Sequence, residues 1–392
     1  MKKFGLALMI TAAAVGYTTK TQMAATPAPN AGAPVVQGVE GNEILVGEYG
    51  SMTGSEATFG QMTHKGIELA FNQINASGGV KGKMLRLISL DDQGRPEEAA
   101  TAVTKLITQN KVLAVLGEVA SSRSLAGAPI AQQHGIPMVT PSSTNPKVTE
   151  VGDYIFRVCF IDPFQGTVMA KFAAQNLKAK RVAIMKDVTS DYSVGLANVF
   201  KETFSHLGGQ VVSEQTYVSG DIDFKGQLAN IKTSGVDAVF IPGYYTEVGL
   251  IARQARQLGM KQPLLGADGW DSRKLFDIGK EAINGGYFSN HYTSDSTAPG
   301  VREFISEFKA AYSEVPDSLA AMGYDAAKVL ADAATRATEL TPKGLRDALA
   351  STKNYQAVTG NITINDQRNA VKSAVVVKVT GAGNKYVTTV NP

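Results

Sequence analysis

From residue 43 onward the apolar positions keep one rhythm: a short apolar run, then a longer stretch with helical spacing. "EILVGEYG" predicts a strand, and "THKGIELAFNQINAS" predicts an amphipathic helix that stops at Gly78-Gly79. "KMLRLISLDD" returns to a strand, and "PEEAATAVTKLITQN" predicts a helix with proline in its first turn, where no amide donor is needed. "VLAVLG" reads as a buried strand, "SSRSLAGAPIAQQHG" as a helix closed by Gly135, and "IPMVT" as the next strand. After residue 160 the rhythm restarts. Helices "DPFQGTVMAKFAAQNL", "DYSVGLANVFKETFSHLG" and "EVGLIARQARQLG" are interleaved with strands "RVAIMK", "QVVSEQTYV", "AVFIPG" and "PLLGAD".

Strands alternating with helices of this length imply parallel β-α-β units, right-handed and covered on both faces. The pattern therefore predicts an α/β protein with two such sets in series, each with its own core. At 392 residues and 44% hydrophobic content, the chain is long enough for two domains. A helical stretch from about Val301 to Leu349 follows, and the segments "GNITI", "SAVVVKV" and "KYVTTV" close the chain. Terminal strands that return to an earlier sheet would make the lobes discontinuous.

Composition narrows the class. The formal charge of +3 includes Lys2 and Lys3; without them it is +1, too little to draw nucleic acid or anionic lipid. Those lysines begin "MKKFGLALMITAAAVGY", a basic n-region and an apolar h-region too short to span a bilayer, so residues 1–17 read as a signal peptide. Residues 18–41, rich in Ala, Pro and Thr, read as a flexible tether. The run "AAAVGY" is similar to a lipoprotein signal but has Tyr17 where the acylated Cys would stand, so no lipid is expected there. The expected location is the periplasm. Cys159, the only cysteine, has no intrachain partner and reads as a small buried residue. The four histidines are scattered, so no metal site and no cofactor are expected.

In an open parallel sheet, ligands sit beyond the carboxyl ends of the strands. There the first set places Phe59, Val119, Ser121, Ser122, Ser142, Ser143 and Thr144. The second places Tyr192, Tyr244, Asp268 and Trp270. Hydroxyls and free amides on one side, aromatics and a carboxylate on the other, suit an α-amino acid. A helix N-terminus receives its carboxylate, and an acid pairs with its ammonium. Taken singly, Ser121 reads equally as a helix cap and the 142–144 hydroxyls as turn residues. Arg123, two residues into its helix, is expected to face outward. No dinucleotide or phosphate-loop fingerprint and no G-x-S-x-G elbow is present, and His134 is too far along its helix to serve Ser121 as a base, so no enzymatic activity is expected.

The same residues carry a resemblance. "YGSMTGSEATFGQMTHKGIELAFNQINASGGVKGKMLRLISLDDQGRPEEA", "VLGEVASSRSLAGAP", "TPSSTNP", "SDYSVGLA", "GYYTEVGLIARQAR" and "GADGWDS", in this order, are similar to branched-chain amino-acid binding proteins. These are the type I periplasmic solute-binding components of ABC importers. The resemblance implies two Rossmann-like lobes, 42–160 with 292–354 and 161–291 with 355–392, joined by a three-crossing hinge. It implies that Ser121 and the Thr144 amide bind the ligand carboxylate, and that the Ser142 carbonyl, the Thr144 hydroxyl and Asp268 take the ammonium. Phe59, Tyr192 and Tyr244 would border its side chain. Leucine-type members usually carry Glu where Asp268 stands, and some have a disulfide near the position of Ala120. The partners implied are an aliphatic amino acid and a membrane permease, served by a monomer. The alternative is a short amide, urea or an aromatic or aliphatic carboxylate on the same fold.

Overall fold

The computed structural model describes Met1, residues 37–381 and residues 383–392. The signal peptide assigned to 1–17 lies, beyond Met1, outside the described residues. So does the tether assigned to 18–41, up to residue 36. Its last residues are folded: β1 (Val39–Glu40) pairs antiparallel with β2 (Glu43–Gly50), and Gln37 donates to the Val112 carbonyl at 3.2 Å.

The first half continues with α1 (Ala57–Ala76), β3 (Met84–Asp91), α2 (Pro96–Thr108), β4 (Ala114–Leu116), α3 (Ser121–Gln133), β5 (Met138–Thr140), α4 (Lys147–Glu150) and β6 (Ile155–Arg157). Strands β3-β2-β4-β5-β6 pair in parallel in that order. Alternation along β2 sends Ile44 and Val46 into one core and Leu45 and Tyr49 into another, as a sheet covered on both faces requires.

The second half holds α5 (Asp162–Lys171), β7 (Arg181–Asp187), α6 (Asp191–His206), β8 (Gln210–Tyr217), α7 (Lys225–Thr233), β9 (Ala238–Phe240), α8 (Tyr245–Gln257), β10 (Leu264–Gly266), α9 (Arg273–Gly279) and β11 (Tyr287–Asn290). Next come α10 (Pro299–Tyr312), α11 (Ser318–Arg336) and α12 (Pro342–Ala350), where a single helical stretch was expected. The chain closes with β12 (Tyr355–Ala357), β13 (Gly360–Ile364), β14 (Ala370–Val371), β15 (Ala374–Thr380) and β16 (Gly383–Val390). The second sheet runs β16-β15-β11-β10-β9-β7-β8, antiparallel only at its β15–β16 end.

The division expected at residue 355 falls elsewhere. Strands β12, β13 and β14 form a separate small sheet, and Ile362, Ile364 and Ala370 share a core with Ile44, Val46 and α11. Only β15 and β16 join the second sheet. We therefore place the third crossing at 372–373, with the others at 158–161 and 291–298.

Helices α1 and α11 meet where glycines let their backbones touch. A Cβ on Gly66 would lie 2.0 Å from the Ala320 carbonyl oxygen, and one on Gly323 would lie 2.4 Å from that of Thr63. Gly226, in α7, has nothing within 4 Å of that position. Two Gly→Ala changes should thus differ in sign. Gly66→Ala should cost about 1–3 kcal/mol through overpacking. Gly226→Ala should leave stability unchanged or raise it by up to about 1 kcal/mol through helix propensity. Urea denaturation of the two variants checks both; equal effects would mean that the helix contact is not tight.

Candidate functional site

In each sheet the strand order reverses once, between β2 and β4 and between β7 and β9, and a crevice opens beyond the strand ends at such a point. The loops there supply the site. Phe59, Val119 and Ser142 follow β2, β4 and β5; Tyr192, Tyr244 and Asp268 follow β7, β9 and β10. These six, with Gly269 and Leu319, line one cleft. Leu319 comes from α11 and was not anticipated.

The two sides are drawn together. The Ser122 hydroxyl donates to Asp191 Oδ2 and accepts from the Asp191 amide, both at 3.0 Å, so the starts of α3 and α6 interlock. Thr58 and Ser272 hydroxyls meet at 2.8 Å, and Thr246 donates to the Ser55 carbonyl at 2.8 Å. Phe59 sets its edge against Tyr244 and Tyr245, at centroid distances of 5.4 and 5.1 Å. Only about 10 Å³ remains between the lining side chains, close to the room one water needs. That space is too small for an amino-acid-sized ligand.

Asp268 is 4% exposed and has no lysine or arginine partner among the described residues. Its Oδ1 accepts from Tyr192 Oη at 2.9 Å and Gln165 Nε2 at 3.1 Å; Oδ2 accepts from His291 Nε2 at 3.0 Å and, weakly, Ser142 Oγ at 3.5 Å. Burial lowers the His291 pKa, which keeps the ring neutral, and the ring stacks on Phe160 at 3.8 Å. Tyr192 also accepts from the Gly269 amide at 2.9 Å, and burial pushes its hydroxyl pKa up, so it stays a donor. The carboxylate is thus oriented by neutral donors and not neutralised. Gln165 and His291 carry no local signal in sequence; only packing brings them to Asp268.

Across the cleft, α3 begins at Ser121 with Ala120 as its N-cap, and no side chain caps it. The first amides of a helix lack partners within it, and Ala120 has no acceptor to give. Ser121, 1% exposed, is therefore the first helical residue and not the cap, and its Oγ accepts from the Asn145 amide at 3.2 Å. Thr144 is buried, with its Oγ1 accepting from Gln165 Nε2 at 3.3 Å.

Two expected ligand contacts serve the scaffold instead. The Ser143 hydroxyl bonds the Glu118 carbonyl at 2.8 Å and Ser124 Oγ at 2.7 Å, away from the cleft. Trp270 packs under the floor, where Gly266 leaves it space and its Nε1 donates to the Ile241 carbonyl at 2.9 Å. Buried Arg157 was missed. It donates to the carbonyls of Ser143 and, at 2.8 Å, Asn145, clamping the loop that carries Ser142 and Thr144. Arg123 does not face outward: it is 5% exposed, 2.8 Å from Glu56 and 3.2 Å from Glu118, and it donates to the Gly94 carbonyl at 3.0 Å. Cys159 is buried, and burial pushes its thiol up to about 12.

The periplasmic binding protein family matches residues 43–384. The leucine-, isoleucine-, valine-, threonine- and alanine-binding protein of Pseudomonas aeruginosa is 31% identical over 325 residues, covering 83% of this chain and 86% of that protein. The leucine-binding protein LivK of Thermotoga maritima superposes with a TM-score of 0.85 at 42% identity, over 89% of this chain and 99% of the other. The branched-chain amino-acid binding protein LivJ of Streptococcus pneumoniae, solved with isoleucine, gives 0.84 at 33% identity, again over 89% and 99%.

Asp162 sits beside this site, 1% exposed, with Oδ1 accepting from Gln165 Nε2 at 3.0 Å and Oδ2 unpartnered. Burial pushes its carboxyl from 3.8 up to about 7. Between those values the folded protein holds a proton that the unfolded chain has released, so stability falls as pH rises through the window. Asp162→Asn removes that slope. The stability of the variant relative to the parent should rise by roughly 4 kcal/mol from about pH 4 to about pH 7. Urea denaturation of ligand-free protein across pH measures this; a flat difference would show Asp162 ionised in the fold.

Proposed function

The chain belongs to the periplasmic binding protein family, and on that premise we propose that it captures an aliphatic amino acid between its lobes and delivers it to the permease of an ABC importer. Leucine, isoleucine and valine are the leading ligands. The observation that carries this reading is the pairing of Asp268, buried among neutral donors, with the uncapped start of α3. A buried carboxylate without a cation and a buried helix start without an acceptor are each costly alone. A zwitterion completes both: its ammonium meets Asp268, and its carboxylate meets the α3 amides and Ser121. A plain carboxylic acid would satisfy the helix and leave Asp268 unmatched.

The remaining walls, Phe59, Tyr244, Val119 and Leu319, suit an uncharged side chain. Parting and rejoining of the lobes about the three crossings is the hinge motion by which the permease would tell loaded from empty protein. We propose binding without catalysis, in the periplasm and as a monomer. Among the described residues no histidine bonds Ser121: His64 bonds Glu48, His134 bonds the Ile130 carbonyl, His291 bonds Asp268, and His206 is exposed at the end of α6.

Asp268→Asn keeps the size of the side chain and removes its charge. It should weaken leucine binding by about 2–5 kcal/mol, roughly thirty-fold to several-thousand-fold. Ser121→Ala should cost about 1–3 kcal/mol, because backbone amides remain to hold the carboxylate. Calorimetric titration with leucine, with folding checked by circular dichroism, decides. A folded Asp268→Asn protein that binds leucine as well as the parent would sink the amino-acid reading and favour an uncharged amide or a plain acid.

A further inference from the structure

A second cavity, of about 490 Å³, lies among α9, the crossing after β11, the turn before α11 and the β15–β16 hairpin, and shares no lining residue with the cleft. Asp271, 5% exposed, faces it. The Asp271 carboxylate accepts from Asn290 Nδ2 at 2.9 Å, the Ser318 amide at 2.8 Å and Asn384 Nδ2 at 3.0 Å. All three donors are neutral, which leaves about one acceptor site free. Half-buried Asp317 stands on the same wall and caps α11 by accepting from the Ala320 amide at 3.0 Å. Burial, and then Asp271, push its carboxyl well above the usual range.

No lysine or arginine pairs with either carboxylate among the described residues, and Arg273 on the rim is exposed. An independent observation points the same way. Tyr292 lines the cavity at 4% exposed, and its hydroxyl is buried without a hydrogen-bond partner. Such orphaned groups are uncommon in native interiors. Leu275, Phe276 and Val379 give the cavity an apolar side. No group of three acidic, histidine or cysteine side chains suited to a metal ion occurs among the described residues.

We propose that this cavity is a second binding site, for a small organic cation: a primary ammonium on a short apolar chain. The three N–H donors of an ammonium match Asp271, Asp317 and the Tyr292 oxygen, and the chain lies along Leu275 and Phe276.

The probe is n-butylammonium chloride, added to protein with and without saturating leucine. The readouts are the Asn290 and Asn384 side-chain amides and the Ser318 backbone amide in nitrogen-15 spectra, together with the melting temperature. Saturable shifts of those signals and a raised melting temperature are expected, unaffected by leucine and not reproduced by sodium chloride. Asp317→Asn keeps an effective helix cap, so it should fold while binding n-butylammonium at least about tenfold more weakly, with leucine affinity unchanged. Four results would each overturn the proposal. The signals could fail to move at roughly 10 mM, enough to saturate a site with a Kd below ~1 mM. n-Butanol or butyrate could move them equally, Asp317→Asn could leave binding intact, or leucine could displace the amine.

Discussion

A buried carboxylate surrounded only by neutral donors is the constraint around which the molecule is arranged. Ionised groups leave water at a cost that hydrogen bonds reduce and an opposite charge offsets. Asp268 receives the first kind of help from four directions: Tyr192 on α6, Gln165 on α5, His291 at a crossing and Ser142 across the cleft. It receives none of the second from the described residues. Each donor fixes an element, so the placement of α5, α6 and the hinge is tied to one side chain. Ser142 Oγ, at 3.5 Å, makes the longest of the four contacts, and Gln165 at 3.1 Å and His291 at 3.0 Å hold the carboxylate more closely.

The opposite side is built on the same logic with backbone instead of side chains. Helix α3 starts at a buried position after an alanine, and no side-chain cap takes its first amides. What holds this arrangement is Arg157, whose guanidinium gathers the carbonyls of the 143–146 loop and so fixes Thr144 and Asn145 against Ser121. An arginine spent on carbonyls is a positioning device. It lets hydroxyls and amides, weak individually, keep one geometry when the lobes meet.

Much of this was legible in the sequence, and the misses have physical reasons. The alternation of short apolar runs with helical stretches placed the loops that carry the cleft residues other than Leu319, because parallel strands buried on both faces leave a strong pattern. Periodicity could not say which way a residue at a loop end turns. Trp270 goes under the floor because Gly266 leaves a slot for it, and Ser143 turns toward Ser124 and the Glu118 carbonyl. Gln165 and His291 reach Asp268 across 103 and 23 residues, distances over which local pattern carries no information. The family resemblance implied that residues from 355 on belong to the second lobe, and periodicity alone does not place the crossings. The partner of β12–β14, the Ile44 and α11 core, is specified only in three dimensions.

Arg123 shows why burial alone does not make a charge available to a ligand. It lies beneath the cleft loops, and a free guanidinium there would invite an acidic side chain into the pocket. Glu118 at 3.2 Å and Glu56 at 2.8 Å hold it instead, and the Gly94 carbonyl takes a further donor. These partners come from the loops after β4, β2 and β3, so one ion cluster ties together the segments that carry Val119 and Phe59. The Glu118 carboxylate itself accepts from the Ser51 amide at 3.2 Å and hydroxyl at 3.0 Å, which fixes its orientation toward Arg123. With two carboxylates on one guanidinium, Arg123 contributes rigidity to the rim and no free positive charge to the cleft. The ligand proposed above, with one ammonium, one carboxylate and an apolar side chain between Phe59, Tyr244 and Leu319, therefore meets no free cation from Arg123.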